Sequence, residues 1–115
     1  MKLKDLEAKA GTVEALLKSV SNRNRLIVLC ELMKGERSVG ALHSAIGLSQ
    51  SALSQHLARL RADGVVTTRR ESQTIHYSLA SYKVRRLIGL LYELYCVPGD
   101  TASERAPPNR RRLSS

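Results

Sequence analysis

The stretch "LSQSALSQHLARLRADG", Leu48–Gly64, decides the fold. Stepped at 100° per residue, Leu53, Leu57 and Leu60 fall in one narrow sector, the seam of an amphipathic helix. Ala52 and His56 lie at the edge of that seam, so His56 is expected to pack and hydrogen-bond rather than contact a base. Gln50, Ser51, Ser54, Gln55 and Arg61 occupy the other side. Ser49 is a good N-cap for this helix, and Gly64 ends it.

Upstream, Ser38 can cap a short helix carrying Val39, Leu42 and Ile46, which Gly47 stops. Before it, Ser21 or Asn22 can cap a helix whose apolar side holds Leu26, Leu29, Cys30 and Met33, with Gly35 ending it. The first segment repeats apolar residues by threes and fours, at Leu3, Leu6, Ala10, Val13, Leu17 and Val20, a seam suited to packing on another helix. Downstream of Gly64 the period changes. Val65, Val66, Thr67 and Thr68 are β-branched, and Ile75, Tyr77 and Leu79 alternate with His76 and Ser78. This pattern predicts a two-stranded hairpin with Arg69-Arg70-Glu71-Ser72-Gln73 as its tip and His76 on the outward side. Ser81 can cap a last helix striped with Val84, Leu87, Ile88, Leu91 and Leu94, reaching Cys96 before Pro98-Gly99.

The order helix, helix, short helix, helix, hairpin, helix predicts a mainly α fold with a small β-hairpin: a winged helix-turn-helix with an extra helix at each end. Two amphipathic terminal helices on so small a body are expected to form a homodimer interface. With no Phe and no Trp, aliphatic side chains must fill the core. Residues 1–96 read as one DNA-binding and dimerisation domain and residues 97–115, with Pro107-Pro108 and Arg110-Arg111-Arg112, as a disordered basic tail.

The 115 residues fit a single domain with a modest core. Lys and Arg outnumber Asp and Glu by 19 to 10, and residues 1–96 alone keep 15 against 8, so the body itself is basic. Such a surface favours polyanions. No apolar run approaches the ~20 residues that span a bilayer, and no signal peptide opens the chain. A cytoplasmic location is therefore expected, where Cys30 and Cys96 are free thiols unless they cycle.

In a helix-turn-helix the second helix enters the major groove and its N-terminal residues reach base edges. Gln pairs bidentately with adenine, and Ser serves donor or acceptor patterns. Gln50, Ser51, Ser54 and Gln55 are thus expected to read double-stranded DNA, with Arg59, Arg61, Arg69 and Arg70 on phosphates. A polar helix face is by itself equally well a solvated one; the short capped helix before it and the hairpin after it favour DNA.

The run Ser38–Leu79, with Leu48-Ser-Gln-Ser-Ala-Leu-Ser-Gln-His-Leu, Leu60-Arg, Gly64-Val and Ile75-His-Tyr, resembles the arsenic-repressor (ArsR/SmtB) superfamily of bacterial winged-helix repressors. The resemblance covers about residues 10–96. It implies a homodimer, closed by the first and last helices, that binds an inverted-repeat operator and blocks transcription.

Many members of this superfamily sense metals. One family site uses a Cys pair in the third helix, where this chain has Ser38, Val39, Gly40 and Ala41; another uses Asp and His on the last helix, where Lys83, Arg85, Arg86 and Glu93 stand. His43, His56 and His76 are not at ligand spacing. No metal and no cofactor is expected, and a metal-responsive repressor is the lesser alternative.

Cys30 and Cys96 fall where the sulfide-responsive, persulfide-sensing branch of the superfamily carries its sensing thiols. That resemblance implies that reactive sulfur species or oxidants bridge the pair through a disulfide or polysulfide and release DNA. Against it, Cys30 sits on an apolar stripe where free Cys serves as core, and a helix C-terminus raises rather than lowers the pKa of a thiol such as Cys96. Regulators of the same branch that act by displacing a silencing protein, a non-sensing architectural DNA binder and a thiol enzyme are the other readings. No Cys-x-x-Cys or Gly-rich phosphate loop supports the last.

Overall fold

Residues 2–96 are described by the structure, a computed structural model. The expected tail, residues 97–115, lies outside them. In chain order the elements are α1 (Leu3–Val20), α2 (Arg23–Leu32), β1 (Arg37–Ser38), α3 (Val39–Ile46), α4 (Gln50–Ala62), β2 (Val66–Glu71), β3 (Thr74–Leu79) and α5 (Tyr82–Cys96).

The helix starts follow local chemistry. Asn22, not Ser21, caps α2, its Oδ1 accepting from the Arg25 backbone N–H at 3.0 Å. Arg25 Nε also donates to the Ser19 carbonyl at 2.6 Å, tying the end of α1 to the first turn of α2. Ser81 Oγ accepts from the Val84 N–H at 3.2 Å at the head of α5.

The sheet differs from the expected hairpin in two ways. It has three antiparallel strands in the order β1-β3-β2, because Arg37 pairs with Tyr77 and Ser38 with His76. Two residues carry no alternation of their own, so β1 exists only through that pairing. Arg69, Arg70 and Glu71 belong to β2 rather than to a loop, opposite His76, Ile75 and Thr74. The turn shrinks to Ser72-Gln73, with Ser72 at φ 58°, a region that costs a non-glycine residue energy.

The core is aliphatic. Val28, Leu29 and Leu32 of α2 meet Leu42 of α3, Leu53, Leu57 and Leu60 of α4, Val66 and Leu79 of the sheet, and Val84 and Ile88 of α5. Helix α2 packs on α1, α3, α4, α5 and β3, which makes it the hub of the unit.

Among the described residues, apolar side chains of the first and last helices stay uncovered. Leu3, Leu6, Val13 and Leu17 of α1 and Leu90 and Leu94 of α5 are exposed. A groove of about 700 Å³ runs between Leu6, Val13, Leu17, Leu26 and Leu91. Single exposed leucines are ordinary, but an apolar groove lined by several of them marks an interaction surface. No helix among the described residues is long and apolar enough to cross a membrane.

Candidate nucleic-acid interface

The joint between α3 and α4 sets the pose of the polar face. Ser38 Oγ accepts from the Ala41 N–H at 3.1 Å to start α3, and Gly47 ends it at φ 86°, a left-handed turn that favours glycine. Ser49 Oγ then accepts from the Ala52 N–H at 3.1 Å and α4 begins. With Leu42, Leu53, Leu57 and Leu60 sharing one core, the two helices are locked at a fixed angle. Gln50, Ser51, Ser54 and Gln55 are left exposed together on the first turns of α4, while His56 is half-buried at the leucine seam.

The four arginines are all exposed but not equally available. Arg59 Nε donates to Asp63 Oδ2 at 2.9 Å. Arg69 donates from Nε to Glu36 Oε2 at 2.9 Å and from Nη2 to Glu36 Oε1 at 2.7 Å, with Glu71 Oε1 a further 3.5 Å away. Ser78 Oγ donates to the same Glu36 carboxylate at 3.4 Å, and His76 Nε2 lies 3.5 Å from Glu71. Among the described residues Arg61 and Arg70 are in no ion pair. Glu36 and Asp63, missed in the sequence reading, are thus the groups that decide which cations face outward.

The arginine hydrogen bonds hold both carboxyls below their ordinary range, Arg69 acting chiefly on Glu36 and Arg59 on Asp63. The unfolded chain therefore takes up these protons first. The stability the pairs contribute is full above the ordinary carboxylate pKa of about 4 and is lost as pH falls through the lowered folded values. Thermal midpoints of the wild type are expected to fall more steeply than those of Glu36→Gln as pH drops below about 4.5; parallel curves for the two proteins would show that the Glu36 pair adds nothing.

Cys30 is half-buried on α2 and Cys96 exposed at the end of α5, and both line a hollow of about 260 Å³ with Leu26, Ile27, Lys34 and Tyr92. Burial, with a smaller contribution from Cys96, pushes the Cys30 thiol pKa up. Among the described residues no three His, Cys, Asp or Glu side chains group together for a metal ion.

A short capped helix, a left-handed glycine joint, an exposed polar second helix and a three-stranded wing define a winged helix-turn-helix protein. Residues 22–68 match the family described as "Bacterial regulatory protein, arsR family". The chain is 51% identical to the transcriptional activator HlyU of Vibrio cholerae over 84% of its own length and 89% of that protein's. It is 43% identical to the biofilm growth-associated repressor of Xylella fastidiosa, over 84% of each chain. The solved structure of reduced HlyU from Vibrio cholerae superposes with a TM-score of 0.78 at 50% identity, covering 83% of this chain and 100% of that one. A homodimeric winged helix-turn-helix DNA-binding domain from Mycobacterium bovis superposes at 0.72 with 28% identity, covering 96% and 97%. The chain belongs to the arsR family of bacterial regulatory proteins, and it is a DNA-binding transcriptional regulator.

Proposed function

We propose that the protein is a homodimeric repressor of an inverted-repeat operator that releases DNA when Cys30 and Cys96 are bridged. The dimer reading rests on the uncovered leucines of α1 and α5 and on the homodimeric neighbour. Two α4 helices related by a two-fold axis then meet successive major grooves ~34 Å apart. Gln50, Ser51, Ser54 and Gln55 read base edges, while Arg61 and Arg70 take phosphates without first leaving a carboxylate.

The observation that carries the thiol reading is the shared hollow, which brings residues 66 positions apart in sequence onto one wall. Cys96, the exposed partner, reacts first, as the nucleophile. Its thiolate displaces the terminal sulfur chain of an inorganic polysulfide: a Cys96 S–S bond forms, the polysulfide S–S bond breaks, and the shortened polysulfide leaves with the electron pair. Cys30 then loses its proton to solvent and attacks the inner sulfur of that persulfide. Hydrosulfide departs and a disulfide remains; if Cys30 also carries an added sulfur, one sulfur stays in the bridge as a trisulfide. The bridge ties the hub helix α2 to α5, and a coupling of ~1–3 kcal/mol changes DNA affinity about 5- to 150-fold.

The test uses a duplex enriched from random sequence by the reduced protein. Wild-type protein treated with polysulfide is expected to release it and to show the bridge by mass spectrometry. Cys30→Ser and Cys96→Ser are expected to bind normally and stay bound after the same treatment. Release by either variant overturns the paired-thiol switch and leaves the DNA reader standing.

A further inference from the structure

We propose that Glu36 is a specificity-determining residue: it withholds Arg69 from DNA phosphates, so that of the two adjacent wing arginines only Arg70 adds to sequence-independent binding. The inference rests on the DNA-binding reading above and concerns which wing cation takes part.

Side chains alternate between the two faces of a strand. Arg69 is paired across the sheet with His76, on the face that carries Ser78 and Glu71, and Glu36 reaches that face from the residue before β1. Arg70 is paired with Ile75 on the opposite face, which holds Val66, Tyr77 and Leu79. Adjacent in sequence, the two arginines therefore face different surroundings. The guanidinium of Arg69 is held through Nε and Nη2 by Glu36, and its remaining edge faces Glu71. A planar, bidentate pair of this kind is among the stronger charge-assisted contacts.

For Arg69 to reach a phosphate it must give up both bonds to Glu36 and leave that carboxylate in the negative field of the duplex. The new contact replaces one anion by another and adds a repulsion, so the exchange gains little. Arg70 faces no such exchange. Non-specific affinity grows with the number of phosphates neutralised, whereas base contacts set the preference for one sequence. Neutralising Arg69 internally thus lowers binding to random DNA while the reading face of α4 is untouched.

The experiment measures binding of the full chain to a random-sequence duplex of about 30 base pairs across a salt series, by fluorescence anisotropy. Each phosphate contact contributes about 0.9 to the slope of log affinity against log salt. Glu36→Gln is expected to bind several-fold more tightly at about 50 mM salt, with a slope steeper by about 0.9 per protomer. Adding Arg69→Gln to that variant is expected to abolish the gain. Arg69→Gln alone is expected to leave the wild-type slope unchanged, whereas Arg70→Gln makes it shallower. An unchanged slope in Glu36→Gln overturns the proposal, as does a gain that survives in the double variant and so reports only a lost carboxylate. A loss with Arg69→Gln equal to that with Arg70→Gln overturns it too, independently of how Glu36→Gln folds. Failure of the wild type to bind any duplex would instead defeat the DNA-binding reading itself, and this inference with it.

Discussion

Replacing Leu94 with glutamate is expected to yield a monomer that has lost specific DNA binding by about 10³-fold or more. Leu94 is 49% exposed on α5, as is Leu17 on α1, among the uncovered apolar side chains of the two terminal helices that form the proposed dimer face. In a two-fold dimer the substitution places two carboxylates against that face, and each unpaired buried ion costs several kcal/mol. A single protomer presents only one α4 and retains the weak, salt-sensitive attraction of its basic surface. Sedimentation at fixed protomer concentration reads the mass, and anisotropy with the enriched duplex reads the binding. A dimer that persists with undiminished affinity would place the interface elsewhere. Because Leu94 is not in the buried core of one protomer, the circular dichroism signature of helix should survive and separate this loss from unfolding.

Leu57→Ala is expected to destabilise the protein by about 2–5 kcal/mol. Leu57 is 1% exposed, at the centre of the seam that joins α4 to α2 and α3. Truncation removes its transfer energy and leaves a cavity that the neighbouring leucines, already in contact, only partly close. For a domain this small the loss lowers the thermal midpoint by about 10 °C or more, measured by differential scanning calorimetry at matched concentration. A shift under a few degrees would mean that the core relaxes around the site far more freely than its packing indicates. Ala substitution at exposed Gln55, in contrast, should leave the midpoint near the wild-type value and weaken binding to the enriched duplex.

The helices were legible because each carries its own signal. Ser38, Ser49 and Ser81 cap the helices they were expected to cap, and the leucine spacing of α4 names its buried side. The seam of α1 lines the open groove as its spacing implies. What escaped notice depends on partners far along the chain. Strand β1 is two residues long and is defined by Tyr77 and His76, some forty positions away. The clamp on Arg69 comes from Glu36 across 33 residues, and no local pattern marks it. Placing Arg69 and Arg70 in a loop hid that they point to opposite faces of a strand, because the alternation of a strand does not apply to a loop. The turn at Ser72-Gln73 was hidden for a related reason: Ser72 adopts a backbone angle usually left to glycine, so the chain carries no glycine there to announce it.

The central position of α2 makes the molecule modular. The hollow that holds Cys30 and Cys96 and the exposed polar surface of α4 have no side chain in common, and both lean on the same helix. Under the proposed function, replacing Cys30, Tyr92 or Cys96 retunes the stimulus to which the regulator responds while its choice of promoter stays the same. On the same reading, altering Gln50 or Gln55 redirects the promoter and keeps the stimulus, so that a new regulatory circuit needs only one of the two sets to change.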